Sequence, residues 1–282
     1  MNLWTALDCT RTSATLPSHG KRLHDDTSVG AELGVARILV AGESWQTLSI
    51  HTKGFDSFVT SEYAEGVGDF RSALEGAGHI VTFQPNHVAA EKFPDTEDAL
   101  SEFDAVVLSD IGSNTLLLPA ATFSRAESRP NRLIALRNWV NSGGGLAMVG
   151  GYLSFQGIDG KANYGATPLA EALPVELERG DDRQETPEGS IARKTATRHP
   201  VTAGIRNEWP ALLGFQRLTA KDDADVLAMI GDWPLLVVGR FGKGRVAAFA
   251  SDIGPHWAPQ SFTRWPGYSL LWGQALTWLA GA

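Results

Sequence analysis

The sequence predicts an α/β domain of three layers, with a mainly parallel sheet and antiparallel additions between covering helices. Three observations carry that expectation. Short apolar runs recur at residues 37–41 (RILVA), 80–83 (IVTF), 105–108 (AVVL) and 146–149 (LAMV). Helical patterns lie between them, and the runs are apolar on both faces, as buried parallel strands are. Further on, residues 235–238 and 245–250 flank the tight turn Phe241-Gly242-Lys243-Gly244, which reads as a hairpin and hence as antiparallel.

Taken in order, residues 1–34 show no sustained periodicity and read as an N-terminal tail, with the domain spanning 35–282. The first strand, 37–41, ends in Gly42-Glu43-Ser44-Trp45. Residues 62–78 read as a helix with Phe70, Leu74 and Ala77 on one face, stopped by Gly76 and Gly78. Strand two ends at Gln84-Pro85-Asn86-His87. In 93–103, Asp95 or Thr96 suits a helix start, and Glu97 and Asp98 suit a first turn. Strand three ends in Ser109-Asp110-Ile111-Gly112. The segment 130–142 predicts a helix, with Pro130 near its first turn and Leu133, Leu136 and Val140 on its apolar side. Strand four follows a run of three glycines. The polar stretch 176–200 reads as a loop or excursion. The C-terminal YSLLWGQALTWLA reads as a helix that packs on the sheet through Tyr268, Leu271, Trp272, Ala275 and Leu279.

Composition narrows the function. With 24 basic against 32 acidic residues the net charge is −8, and without basic clusters this argues against nucleic acid or an anionic membrane as partner. No apolar run approaches the roughly 18 residues that span a bilayer, and the leader lacks the apolar core of a secretory signal. The expectation is a cytoplasmic protein acting on a small-molecule ligand, with homo-oligomer formation left open. The single cysteine, Cys9, cannot form an internal disulfide and reads as a surface thiol of the tail. Gly242-Lys243-Gly244 lacks the spacer and following helix of a phosphate loop.

Ligands of open α/β sheets bind outside the carboxyl ends of the strands. Those ends carry Glu43, Ser44 and Trp45; Asn86 and His87; Asp110, Ser113 and Asn114; Gly150, Gly151, Tyr152, Ser154 and Gln156; and Ser251, Asp252, His256 and Trp257. Ser-Asp-Ile-Gly occurs at both 109–112 and 251–254. One reading has each aspartate capping its turn. The other points both carboxylates into one crevice, where with Glu43, His87 and His256 they could polarise a water or hold a divalent metal. The spacing matches no metal-ligand motif, so neither metal nor cofactor is assigned.

The order of elements, the turn GGGLAMVGGYLSFQG at 143–157 and the ending FGKGRVAAFASDIGPHW…WPGYSLLWGQALTWLA resemble the putative glutamine amidotransferase-like proteins over residues 36–281. These belong to the class I glutamine amidotransferase superfamily and are similar to the trehalose-utilisation type. The resemblance implies a flavodoxin-like core. It also implies a cysteine on the turn after a central strand and a histidine–glutamate pair after a later one, because a thiolate attacks an amide and still departs. Here that turn carries Gly151-Tyr152-Leu153, and Ala258 stands where the glutamate would follow His256. The usual glutaminase route is therefore not expected.

Tyr152 is displayed in the nucleophile's place, as hydrogen-bond donor or acid, or simply covers the sheet end with Phe155. Ser154 would serve as nucleophile if His256 reached it, oriented by Asp252 or Asp110. Gly150 and Gly151 would let backbone approach a ligand and offer amides to an oxyanion. Asp110, Tyr152, Ser154, Asp252 and His256 are the candidate catalytic residues. Glu43, Ser44, Trp45, His87, Gly150, Gly151, Gln156 and Trp257 are the candidate ligand contacts. Three functions follow: a hydrolase-type enzyme on a small polar metabolite, a non-catalytic binding or assembly protein whose tryptophans stack on a sugar-like ligand, or a subunit modulating a partner enzyme.

Overall fold

A computed structural model describes residues 34–281; Cys9 and the tail expected before residue 34 lie outside the described residues. Strand β1, Arg37–Gly42, is buried beyond its first residue. The chain then leaves the core as a two-stranded ribbon, β2 Ser44–Lys53 and β3 Asp56–Glu65, turned at Gly54 with φ 63°. The helix expected over 62–78 is therefore shorter: residues 62–65 pair with β2, and α1 is Gly68–Gly76, burying Phe70, Ala73 and Leu74. Cross-strand pairing prevails over the local helical spacing, and Gly66 and Val67 separate the two elements.

Strand β4 is Ile80–Gln84. Asn86 and His87 open a short helix, α2 Asn86–Lys92. Thr96 caps α3, Glu97–Leu100, its Oγ1 accepting the Ala99 amide at 3.2 Å. β5 is Ala105–Ser109, followed by α4 Ser113–Leu117 and α5 Ala120–Arg125, both too short to show a period. Helix α6 is Arg132–Ser142. Its cap is Asn131, whose Oδ1 accepts the amides of Leu133 and Ile134, so Pro130 precedes the helix. Leu133, Leu136 and Val140 are buried, each contributing about 1.5–3 kcal/mol of burial. β6 is Gly145–Val149.

Of the two readings of the polar stretch, loop or excursion, the second holds: it carries strands, most of them in small sheets apart from the main one. It holds most of β7 Val175–Leu177, then β8 Arg183–Ser190 and β9 Ala192–Lys194. β10 Leu212–Gln216 pairs with β8, and β11 Leu218–Ala220 pairs with β7. β12 is Asp225–Ile230, and β13 Trp233–Phe241 and β14 Gly244–Phe249 form the expected hairpin. Its turn docks on α6, with the Lys243 amide donating to Asn141 O at 2.9 Å. α7 Gln260–Thr263 and α8 Pro266–Leu279 close the chain.

The main sheet runs β4-β1-β5-β6-β14-β13-β12-β9. The first five strands are parallel and the rest antiparallel. α1 and α8 pack together, while α2, α3, α4 and α6 form a second group. Tyr268, Leu271, Trp272, Ala275 and Leu279 of α8 are buried and the helix lies on β6 and β14. The result is a mixed α/β, flavodoxin-like core. β1 is followed by β4 on one side and β5 on the other, so the order reverses between β1 and β5, which opens a crevice at their carboxyl ends.

Candidate functional site

Two acidic residues stand at that crevice in left-handed backbone. Glu43 follows β1 with φ 46°, and Asp110 follows β5 with φ 45°. Non-glycine residues seldom hold this conformation, and such strain gathers at functional positions. It is held by hydrogen bonds between the strand ends. The Glu43 amide donates to Ser109 O at 2.8 Å, and Ser109 Oγ donates to Glu43 Oε2 at 2.6 Å. The Asp110 amide donates to Ser154 Oγ at 3.0 Å, and Asp110 Oδ1 accepts the Leu153 amide at 2.6 Å.

The turn after β6 is shaped to receive Asp110. Gly151 has φ 139°, and a Cβ there would lie 2.9 Å from Asp110 Oδ1. The carboxyl group thus fills the space a side chain of residue 151 would take. Gly151→Ala is expected to destabilise the protein by about 2–3 kcal/mol, through strain at positive φ and displacement of Asp110; denaturant unfolding measures it, and a loss below about 0.5 kcal/mol would remove the argument. Gly150 does not offer its amide to a ligand, because that N–H donates to Phe249 O at 2.8 Å. A Cβ on Gly150 would meet Gln216 Oε1 at 2.4 Å, and Gln216 Nε2 in turn donates to Gly151 O.

After β14, Asp252 is fully buried. Its Oδ1 accepts the Gly254 amide at 3.1 Å. Its Oδ2 has no hydrogen-bond partner and lies 3.9 Å from Nδ1 of the half-exposed His256. Glu43 Oε1 is likewise buried and unpartnered. Gly66 and Gly254 close around it, where Cβ atoms would come within 2.5 and 3.3 Å. Burial pushes the Glu43 carboxyl up to about 8, with the Asp110 charge adding to it against the Ser109 hydrogen bond. Burial likewise raises Asp252 well above the usual carboxylate range, aided by Glu43 and Asp110. Asp110 is raised by burial, opposed by the Leu153 amide and by His256. Neighbouring buried acids cannot all ionise, so this cluster retains protons at neutral pH.

An aromatic wall covers the cluster. Trp45 packs on His256 with centroids 4.8 Å apart. Tyr152 lies 5.6 Å from His256 and 5.5 Å from Trp257. The Arg183 guanidinium sits 4.8 Å from the Tyr152 ring centre, held by Asp181 at 2.8 Å, and Trp257 Nε1 donates to Glu185 Oε2 at 3.0 Å. Burial and Glu185 raise the Tyr152 phenol. Arg183 and Glu185 come from the stretch read as a loop or excursion; the sequence signal for them is only an unbroken polar run. A cleft of about 350 Å³ adjoins His256, lined also by Gly66, Asp69, Gly254, Gln260 and Thr263. Thr263 Oγ1 is buried there without a partner.

Other expected residues have different work. Ser154 Oγ accepts the Asp110 amide, and among the described residues no hydrogen bond links it to His256, so a serine triad is not assembled. Ser44 Oγ accepts the Asn86 amide at 2.8 Å, tying the ribbon root to α2. Gln156 Oε1 accepts the Gly165 amide at 2.9 Å, and the Gln156 and Gly157 amides donate to Asp182, whose carboxyl burial raises to about 6. His87 is exposed and packs edge-on against Tyr63. Among the described residues no three His, Cys, Asp or Glu side chains are arranged to hold a metal.

Comparison with known proteins agrees with this architecture. The model of a family described as putative glutamine amidotransferase matches residues 37–281. Two solved cytoplasmic proteins from Salmonella typhimurium are similar. STM3548 is 45% identical with a TM-score of 0.83, covering 86% of this chain and 98% of its own. STM1381 is 46% identical with a TM-score of 0.84, covering 86% and 99%. A putative ThuA-like protein from Parabacteroides merdae shares the fold at 12% identity and a TM-score of 0.54, covering 88% of this chain and 91% of its own. No curated protein matches.

Proposed function

The chain belongs to the putative glutamine amidotransferase family, and from that premise we propose a hydrolase-type enzyme on a small polar metabolite that works without a thiol. The observation that carries the reading is Asp252 Oδ2, buried, unpartnered and 3.9 Å from His256 Nδ1. Apo sites often hold such pairs slightly open, and they tighten when substrate excludes water. His256 then takes a proton from an attacking water and returns it to the leaving group. Asp252 steadies the imidazolium, and the Glu43 carboxyl, kept protonated by burial, holds the cluster's proton so that Asp252 can carry the charge. The cleft beside His256 is the proposed substrate position, and the partly exposed rings of Trp45 and Tyr152, both packed on His256, favour the flat apolar face of a sugar-like group, whereas Trp257, expected as a ligand contact, is buried and only backs Tyr152. The Salmonella relatives are cytoplasmic proteins, which supports a cytoplasmic setting; among the described residues no helix is long and apolar enough to cross a membrane.

A second reading, a non-catalytic binder on the same fold, is favoured by the complete burial of Glu43 and Asp252. The separating experiment screens esters, amides and glycosides of small polar metabolites for turnover, with thermal shift in parallel. Turnover supports the enzyme. A ligand that raises the melting temperature without being converted supports the binder. Glutamine supplies a negative arm: glutamate release should be absent, and alkylating the one thiol, Cys9, should change nothing. Release that alkylation abolishes would overturn the thiol-free chemistry.

A further inference from the structure

The ribbon β2–β3 is amphipathic, and its apolar face is turned outward. The register Gln46↔Tyr63, Leu48↔Ser61, Ile50↔Val59 and Thr52↔Ser57 places these residues on one face. Leu48, Ile50, Val59 and Tyr63 are each between 51% and 71% exposed. The opposite face is polar, with Thr47, Ser49, Thr60 and Glu62, and a His51–Phe58 stack near its tip. An isolated two-stranded ribbon is marginal in water, so a face that turns Leu48, Ile50, Val59 and Tyr63 outward calls for a permanent cover. At the root Tyr63 meets His87 of α2; beyond it nothing among the described residues covers Leu48, Ile50 and Val59.

We infer that this ribbon is an arm that packs on a second copy of the chain. Charge favours that occupant. Between residues 46 and 61 the acidic and basic side chains are Lys53 and Asp56, which face each other in register on the polar face. From Gln46 to Tyr63 the apolar face therefore carries no charged side chain, Glu62 standing on the polar face and Glu65 at the root, so on a chain of net charge −8 it is a place where two acidic copies meet without repulsion. Area favours it as well. Ten residues at about 3.4 Å each, two strands wide, give a face of roughly 330 Å² that carries the four apolar side chains among Gln46, Thr52, Ser57 and Ser61. One such face against a separate partner falls short of the roughly 800 Å² per side of a stable interface. A two-fold exchange doubles each copy's share, because each gives an arm and receives one, and the root contacts around it close most of the difference.

The test is the mass of the full chain in solution. At tens of micromolar, light scattering should return twice the 30.3 kDa of the chain, or a larger closed oligomer built from such pairs. Leu48→Glu/Ile50→Glu should dissociate it at least about 100-fold more readily, with far-UV circular dichroism unchanged. Leu48→Thr/Ile50→Thr, which keeps strand preference, should weaken it about 10-fold and serves if the glutamates impair folding. Thr47→Lys on the polar face, opposite Glu62, should leave the mass unchanged. A monomeric wild type, an oligomer indifferent to both double variants, or dissociation by Thr47→Lys overturns the inference. So does an oligomer lost only when residues 1–33 are removed.

Discussion

Asp252→Asn is expected to lower turnover of the substrate found by screening by roughly 10²- to 10⁴-fold, while the protein melts at or above the wild-type temperature. Activity and stability part here because the site holds charge it would be easier to omit. Asparagine keeps an oxygen for the Gly254 amide, and its nitrogen takes the place of an oxygen that had no partner. It also removes one of three mutually repelling acids, a gain of the order of 1–2 kcal/mol. The imidazole loses the group that steadies its protonated form. His256→Ala should lower turnover comparably. If Asp252→Asn keeps full turnover while Tyr152→Phe abolishes it, the chemistry belongs to the turn after β6.

The second large effect is on stability against pH. Glu43 is raised from 4.5 to about 8 in the folded protein, so between these values the native state binds more protons than the unfolded state. Stability from this group is fully present below pH 4.5 and falls as pH rises through about 8. Glu43→Gln removes the titration. Near pH 5 the variant should melt close to the wild type. Near pH 9 it should be more stable by a few kcal/mol, on the order of 5–10 °C. Melting curves at half-unit pH steps decide the matter, and parallel profiles for the two proteins would show that Glu43 is not titrating as described.

The parallel half of the sheet was legible because each buried strand is a run of apolar residues ending in a polar turn. The ribbon was not: Leu48, Ile50 and Val59 alternate with Thr and Ser, and the alternation is meaningful only once its two strands are paired. Residues 62–65 look helical for the same reason, since Tyr63 gains its strand partner Gln46 from seventeen positions upstream. In 176–200 the charges hid β8, whose residues need not be apolar where they face the site; Arg183 holds Tyr152 and Glu185 holds Trp257. Glu43, Asp110, Asp252 and His256 could be proposed from strand ends alone, because a parallel sheet gathers its carboxyl ends at one edge. That Ser154 and Gln156 serve the backbone could not, because turn hydrogen bonds depend on φ and ψ that residue type leaves open.

The join between β1 and β5 divides the site into a part that can drift and a part that cannot. A side chain on Gly42 would strike Ser109 O at 1.8 Å, and that same carbonyl receives the Glu43 amide. Glu43 and Asp110 are thus specified by the registry of two central strands, whereas Trp45, Tyr152 and Arg183 hang from the ribbon root, a turn and a small separate sheet. Under selection for a new substrate, variation should accumulate in those three and spare Gly42, Ser109 and Glu43. A lineage on this scaffold would change the rim of the crevice long before it changed the acids at its base.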